Sequence, residues 1–205
     1  MRPPSITLQR RVRTISMMLM VVMPWLSAHV VSAQERSNKQ IDQIKVAYLA
    51  NFIRFTQWEK DQGEKANQPW IITIVGDSDF SKEVRGAFPN GKFLDRAIEL
   101  QDLPTLLNHD KNLDQNTRDK LLASHVIYVR NKNLEDHRTI LAINHSPDFL
   151  YISDMPGMAK AGGMIELYNL RTRITFKVNP RAISNARIRV SSKVLRLGIS
   201  VSSSN

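Results

Sequence analysis

Residues 150–201 read LYISDMPGMAKAGGMIELYNLRTRITFKVNPRAISNARIRVSSKVLRLGISV. After a first apolar run, a loop with three glycines leads to two segments, Met164–Tyr168 and Arg173–Val178, in which apolar and polar residues alternate. Alternation of this kind is typical of strands, and the short link between the segments favours an antiparallel hairpin. Asn179 and Pro180 predict a helix start, because asparagine caps the first turn and proline suits its first position.

Upstream of this stretch, short apolar runs alternate with helical patterns. The runs predicted to be strands are Trp70–Gly76, Ala97–Leu100, His125–Arg130 and Phe149–Ser153. The segments between them predict helices at Ser78–Phe88, from Pro104, at Asp119–Ala123 and after Asn133. Strands that alternate with helices at this spacing predict a parallel sheet. We therefore expect an α/β fold: a single domain with a mixed, mostly parallel sheet, flanking helices and a C-terminal antiparallel hairpin.

An amphipathic helix is predicted over Ile41–Trp58, where apolar residues recur every three or four positions. The apolar stripe is broad, which indicates burial on two sides. Its aromatic residues are Tyr48, Phe52, Phe55 and Trp58. We expect them to pack in the core. The alternative is that one aromatic edge of the helix, around Phe52, contacts a partner.

The first 33 residues have the pattern of a secretory signal peptide. Four arginines precede or border the apolar run Ile15–Leu26, and Val31-Ser32-Ala33 offers small residues for cleavage before Gln34. We therefore predict that residues 1–33 are removed on export and that residues 34–205 form the α/β domain. The alternative is an uncleaved anchor, but the apolar run is shorter than the ~20 residues that span a bilayer. Export by the Sec or the Tat route is left open.

Composition excludes several function classes. The chain has 205 residues, no cysteine and a formal charge of +10. Without cysteine there is no disulfide, no thiol catalysis and no four-cysteine zinc site. Removal of the first 33 residues lowers the charge by four, and the remaining excess is scattered along the chain. A nucleic-acid partner is therefore not expected.

No residue pattern indicates catalysis or metal binding. The histidines include no pair at H-x-x-x-H or H-x-H spacing. No G-x-S-x-G motif is present, and Gly76 stands alone where a dinucleotide fingerprint needs three glycines. Glu166 alternates with apolar neighbours, so we expect it on the outer face of its strand. We predict a protein that is not an enzyme and that has no cofactor and no metal.

The glycine-rich loop provides the candidates for a binding surface. Methionines on a loop are adaptable contacts, and the candidates for partner binding are Met155, Pro156 and Met158, with Lys160 at the rim. The alternative is that the methionines only close the end of the sheet. The pair Gly162 and Gly163 is expected to form a tight turn or bulge that needs positive φ, and the alternative is an anion nest.

Two groups of residues resemble the YfiR/HmsC-like family of exported regulatory proteins. The first is Lys45-Val-Ala-Tyr48-Leu-Ala-Asn51-Phe52-Ile-Arg-Phe55-Thr-Gln-Trp58, beside the family pattern K-A-A-Y-L-x-N-F-x-K-F-x-x-W. The second comprises Ile152-Ser-Asp154, Gly162-Gly163-Met164-Ile165, Arg173-Ile-Thr-Phe176-Lys-Val-Asn179 and Ser191-Ser192-Lys-Val-Leu195-Arg-Leu197. The motif residues expected to be structural are Asn51, Trp58, Gly162, Gly163 and Asn179. Ser124 departs from the pattern, because many relatives have a cysteine there, so disulfide control cannot operate in this chain.

The resemblance implies a periplasmic α/β protein of a Gram-negative cell without catalytic activity. It implies binding to the periplasmic domain of a membrane-bound diguanylate cyclase, or of another membrane sensor. Repression of the cyclase would lower cyclic-di-GMP and biofilm formation, and a homodimer is left open. The alternative function is a periplasmic module that binds a small ligand in the crevice at the strand ends and reports to a transporter or a sensor kinase.

Overall fold

The structure of the protein, a computed structural model, describes residues 38–61, 67–108, 111–130, 132–170 and 173–202. The chain divides into two units, Met1–Ile41 and Asp42–Asn205. Of the first unit only residues 38–41 are described, and they are helical, so the predicted signal peptide lies outside the described residues. In the described part of the chain, no helix has the length and apolar character needed to cross a membrane.

Helices and strands alternate along most of the described chain. The helices are α1 (38–54), α2 (Ser78–Ala87), α3 (Gln115–Ala123), α4 (Leu134–Ile143), α5 (Pro180–Ser184) and α6 (Ser192–Leu195). The strands are β1 (Thr56–Trp58), β2 (Trp70–Val75), β3 (Lys92–Phe93), β4 (Arg96–Leu103), β5 (Val126–Val129), β6 (Leu150–Ser153), β7 (Ile165–Leu170), β8 (Arg173–Val178), β9 (Ile188–Val190) and β10 (Ile199–Ser200).

The main sheet has eight strands in the order β10-β8-β7-β6-β5-β2-β4-β3, and β1 pairs with β9 in a separate ribbon. Strands β4, β2, β5, β6 and β7 are parallel neighbours, whereas β3–β4 and the hairpin β7–β8 are antiparallel. The predicted α/β fold with a mixed, mostly parallel sheet and a C-terminal antiparallel hairpin is therefore confirmed. Strands β5 and β6 are buried along their whole length, as expected of parallel strands covered on both faces.

Local capping signals set three helix starts where the sequence predicts them, whereas α3 begins at Gln115, four residues before the predicted start. Asp77 accepts a hydrogen bond from the Phe80 amide, Asn133 from the Glu135 amide and Asn179 from the Ala182 amide. Each cap satisfies an amide that the first helical turn leaves without an intrahelical partner. Pro180 follows its cap at the start of α5, as expected.

Two helix predictions were wrong. The first helix ends at residue 54, and Trp58 lies in β1, which pairs antiparallel with β9. The Trp58 indole N–H donates to the carbonyl of His125 at 3.0 Å, a contact far away in sequence that draws the chain out of the helix. The second error concerns Pro104, because residues 104–108 form no helix. Leu106 is buried there instead, and its amide donates to the Asp136 carboxylate at 3.1 Å.

Helix α1 packs on the hairpin of β7 and β8. The rings of Tyr48 and Phe52 lie 5.6 Å and 5.1 Å from the ring of Phe176. The Tyr48 hydroxyl donates to the carbonyl of Ile174 at 3.0 Å. Phe52 is only 1% exposed, so it belongs to the core. This burial contradicts the alternative in which Phe52 contacts a partner.

Candidate partner-binding site

The strand order reverses between β2 and β5, because the chain passes from β2 to β4 on one side and then to β5 on the other. In open α/β sheets a crevice forms at this point, outside the carboxyl ends of the strands, and ligands commonly bind there. The residues that follow the strands at this edge include Asp77 after β2, Arg130 after β5 and Asp154 after β6. All three are charged, so their partners decide whether the crevice is open.

Arg130 occupies the centre of this crevice. It donates to Asp42 of α1 at 2.7 Å, and its Nε lies 3.2 Å from Asp77 and 3.4 Å from Asp154. Its guanidinium lies over the ring of Phe80, 4.1 Å from the ring centre. Although burial opposes the charged form, the carboxylates of Asp154 and Asp42 hold the pKa of Arg130 above its ordinary value. The guanidinium is thus a fixed cation that joins α1 to the sheet.

Asp154 makes the second connection between α1 and this edge. Lys45 of α1 pairs with one of its oxygens at 2.6 Å, and the Tyr128 hydroxyl donates to the other. Burial, and then the adjacent Asp154 carboxylate, raise the pKa of Tyr128, so its hydroxyl keeps the proton that it donates. The strand-end crevice is therefore filled by mutually paired side chains, which counts against a solute site at this point.

Glu166 is buried, in contrast to the expected position on the outer face. It is 1% exposed, accepts a hydrogen bond from the Ala159 amide at 3.1 Å and pairs with Lys177 at 2.7 Å. The predicted alternation of β7 is correct, but the loop before β7 covers this face. Burial alone would raise the pKa of Glu166, yet the bonds from Lys177 and the Ala159 amide outweigh it and lower the pKa. Glu166 is therefore a charged anchor for the loop.

Asn179 and the two glycines hold the same loop. The Asn179 side-chain amide donates to the carbonyl of Ala159 at 2.8 Å, while its oxygen caps α5. Positive φ, which was expected at both glycines, occurs at Gly162 alone, with φ +110. Gly163 is required for space, because a Cβ there would lie 2.8 Å from the Met158 carbonyl oxygen. The Gly163 amide donates to that same oxygen at 2.8 Å, which argues against an anion nest.

The loop presents only part of the predicted binding set. Pro156 and Lys160 are exposed and Met155 is half-buried, whereas Met158 is 3% exposed. Met158 thus covers the core, because the turn that ends at Gly163 directs it inward, and the prediction of Met158 as a surface contact is wrong. Asn51, one of the family-motif residues expected to be structural, has an exposed side chain on α1.

Two further apolar side chains are exposed near this edge, and the sequence pattern does not single them out. Leu134 is 41% exposed at the start of α4, directly after β5 and its Asn133 cap. Ile44 is 45% exposed on α1, and its backbone lies near this edge because the next residue, Lys45, is bonded to Asp154. In the sequence, Leu134 stands out only as an apolar residue beside Glu135 and Asp136 in the first turn of α4. We call Ile44, Leu134, Met155, Pro156 and Lys160 the carboxyl-edge surface.

The charges around the carboxyl-edge surface are unevenly balanced. Two exposed acids at the starts of α2 and α4, Asp79 and Glu135, each pair with a cation of their own helix at 2.7 Å. Lys132 and Lys160 are exposed as well. The surface is therefore apolar in part, with a basic rim.

Asp61 and His125 form an acid–histidine pair at the opposite, amino end of the strands, and such a pair can serve in catalysis. His125 Nδ1 accepts a hydrogen bond from the Ile71 amide at 3.0 Å, so Nε2 carries the proton and donates to Asp61 at 2.8 Å. Burial, which outweighs the bond to Asp61, lowers the pKa of His125. Both ring nitrogens are occupied, so this imidazole is not free to accept a proton from a substrate. Trp58 and Trp70 pack on the ring at 5.6 Å and 5.2 Å, which indicates a structural role.

No group of three or more His, Cys, Asp or Glu side chains able to hold a metal ion occurs among the described residues.

Curated proteins provide no match to the chain. Among solved structures, the ABC domain from Streptococcus pneumonia in complex with L-Trp is similar, with a TM-score of 0.46 and 12% identity. That similarity covers 70% of this chain and 58% of the other, so the chain spans little more than half of that protein.

The family described as YfiR/HmsC-like matches residues 42–199, which is nearly the whole of the second unit. At the level of the family, this is a group of periplasmic, non-catalytic regulators of diguanylate cyclases. The described fold, the occupied strand-end crevice and the anchored loop all lie within the matched range. The chain belongs to the YfiR/HmsC-like family.

Proposed function

We propose that this protein binds the periplasmic domain of a membrane-bound diguanylate cyclase and represses the enzyme, which lowers cyclic-di-GMP and biofilm formation. The observation that supports the proposal most strongly is the family match over residues 42–199. The proposal includes removal of residues 1–33 on export, because a periplasmic contact requires that residues 34–205 leave the cytoplasm.

The carboxyl-edge surface is the proposed contact. Interface cores are enriched in aromatic residues, methionine and arginine and depleted in lysine, which belongs at the rim. Met155 and Pro156 fit the core of such a patch, together with the exposed leucine and isoleucine, and Lys160 fits the rim. Glu166 and Asn179 hold the loop in place through Ala159. A loop fixed before binding loses little conformational entropy on association, which favours affinity.

Repression in this arrangement is indirect. A periplasmic protein is separated by the membrane from a catalytic domain that faces the cytoplasm, so it acts by favouring an inactive arrangement of the partner. Its effect is bounded by the ratio of its affinities for the two arrangements. A shift from about 1:99 to about 99:1 needs a ratio of roughly 10⁴. A rigid surface is suited to this task, because it cannot adapt equally well to both arrangements.

The test compares two exposed leucines. Leu134→Asp places a charge in the carboxyl-edge surface, whereas Leu197→Asp makes the same exchange at a side chain that is 75% exposed in the turn before β10. Met158→Asp is unsuitable, because the burial of Met158 would make the variant unfold for reasons unrelated to binding. Both leucine variants are expected to melt like the wild type.

The expected readouts are capture of the cyclase's periplasmic domain by the mature protein and the cellular level of cyclic-di-GMP. Loss of a central contact costs about 2 kcal/mol, or roughly a 30-fold weaker complex. Leu134→Asp is therefore expected to reduce capture and raise cyclic-di-GMP, and Met155→Asp is expected to do the same. Leu197→Asp should leave both unchanged. If the wild type captures no cyclase, the function is wrong, and if Leu134→Asp and Met155→Asp capture normally, the surface is wrong.

A further inference from the structure

A separate cavity lies beneath the glycine turn, on the side of the loop that faces α4. Its volume is about 180 Å³. The floor consists of Ile140, Phe149, Tyr151 and Met164, which are between 2% and 4% exposed. The walls include Gly162 at the end of the loop. This cavity is distinct from the filled crevice at the strand ends.

The floor offers no unsatisfied polar group to a visiting molecule. The Tyr151 hydroxyl is hydrogen bonded to the His137 ring, and the Tyr151 amide donates to the sulfur of Met164 at 3.4 Å. A water molecule in a buried site needs two to four polar partners. The floor provides none that are free among these groups, so an apolar molecule is a better occupant of it than water.

The rim has a different chemistry. Asn144, His145 and Asn185 line the opening, and His145 and Asn185 are exposed. These side chains donate and accept hydrogen bonds. The lining includes no aspartate, glutamate, lysine or arginine. A charged ligand would lose hydration without gaining an ion pair there, which is costly.

The size of the cavity limits the ligand. An enclosed apolar cavity of roughly 150 Å³ in another protein binds benzene, so a space of about 180 Å³ is large enough for one ring with a small substituent. Because this space opens to solvent at its polar rim, the comparison concerns size alone. We infer that this cavity binds an uncharged single-ring aromatic molecule, with its ring on the Phe149–Tyr151–Met164 floor and a polar substituent at the Asn144–Asn185 rim.

The cavity also touches the loop that bears part of the carboxyl-edge surface. Gly162 is a wall of the cavity and lies two residues after Lys160. A ligand in the cavity therefore contacts the loop from behind, and its binding is expected to change the affinity for the partner. This second step rests on the proposed function, whereas binding to the cavity does not.

The binding test uses p-cresol, an uncharged methylphenol, with 4-methylbenzoate as its charged counterpart. Amide NMR spectra of the mature protein are expected to shift on addition of p-cresol, mainly at Leu141, Tyr151 and Gly162. Ala182→Leu places three carbons in the cavity from α5, and Leu141→Phe fills it from α4. The control Ala142→Leu makes the first exchange at an exposed position of α4.

The inference predicts that both filling variants bind p-cresol at least ~10-fold more weakly than the wild type, while Ala142→Leu binds normally. It also predicts at least ~10-fold weaker binding of 4-methylbenzoate. Absence of shifts, shifts centred elsewhere, or unchanged binding by a folded filling variant would overturn it. Two variants are used so that misfolding of one leaves the other as the test.

The link to the partner is measured separately, by capture of the cyclase domain with and without p-cresol. A change in capture that disappears in the filling variants supports the link. Equal capture with and without p-cresol refutes the link but leaves cavity binding standing on the NMR result. Failure of capture without any p-cresol refutes the proposed function alone.

Discussion

Replacement of Gly163 by alanine is the sharpest test of the anchored loop. An added Cβ would lie 2.8 Å from the Met158 carbonyl oxygen and 3.2 Å from the Tyr151 ring. The first distance is too short for a carbon and an oxygen that are not bonded. The oxygen is held by the Gly163 amide, and the ring is held by its bond to His137. Neither neighbour can retreat without weakening a hydrogen bond.

The size of the effect follows from these constraints. Overpacking of a tight site costs about 1–3 kcal/mol, and a weakened buried hydrogen bond adds about 1 kcal/mol. Gly163→Ala is therefore expected to lower the free energy of unfolding by about 2–4 kcal/mol, which in a domain of this size shifts Tm by roughly 4–15 °C. Gly157→Ala measures the cost of backbone strain without steric overlap, because Gly157 has φ +89 but an added Cβ would have nothing within 4 Å. Its expected cost is about 1 kcal/mol, from strain alone.

Gly86→Ala is the matched control. Gly86 lies in α2 with nothing within 4 Å of an added Cβ, so the exchange is expected to stabilise the protein by about 0.5 kcal/mol through helix propensity. Urea denaturation of the mature protein measures all three variants. If Gly163→Ala is no less stable than Gly157→Ala, the close approach to Met158 is not what selects glycine, and the account of the loop is wrong.

Three further predictions concern export, the loop anchor and pH. N-terminal sequencing of periplasmic protein should begin at or near Gln34, and a full-length cytoplasmic protein would contradict the localisation. Glu166→Gln should lower the free energy of unfolding by about 1–3 kcal/mol, because it leaves Lys177 and the loop with a weaker acceptor; Asp79→Asn, at an exposed pair, should melt like the wild type. Burial lowers the pKa of His125 from 6.5, so the unfolded chain takes up the proton first and stability is lost as the pH falls below 6.5. His125→Phe should reduce the stability lost between about pH 7 and about pH 5 in urea denaturation, and an unchanged slope would show that His125 is not the group responsible.

The parts of the fold that depend on local signals could be predicted from the sequence. The β-branched run of β2, the caps at Asp77, Asn133 and Asn179, and the alternation of β7 and β8 each act within a few residues. Alternating strands and helices then restrict the topology to a mainly parallel sheet. These predictions succeeded because the residues that form each pattern also make the local contacts that determine the helix or strand.

The failures involve either a partner that is distant in sequence or the path of the loop before β7. Trp58 lies outside the helix because it bonds to His125 and because its strand pairs with β9. No local sequence pattern predicts either contact. Glu166 alternates correctly, but whether its face is open depends on the path of the preceding loop. Met158 is directed inward by that same loop. The exposure of the candidate contact residues was therefore predicted only in part, because exposure is decided by the covering elements and not by the residue type.

The side chains that fill the strand-end crevice also fix helix α1 on the sheet. Lys45 and Asp42 bind α1 to the carboxyl ends of the strands, while Trp58, just beyond α1, bonds to His125 at the amino end. The position that other α/β proteins leave open for a solute is thus used to fix a helix. A helix fixed at both ends, together with an anchored loop, presents its exposed side chains in one arrangement. If the protein represses a cyclase as proposed above, it must distinguish two arrangements of that partner, and this rigidity would set the difference in affinity, because a surface that adapted to both arrangements would shift neither.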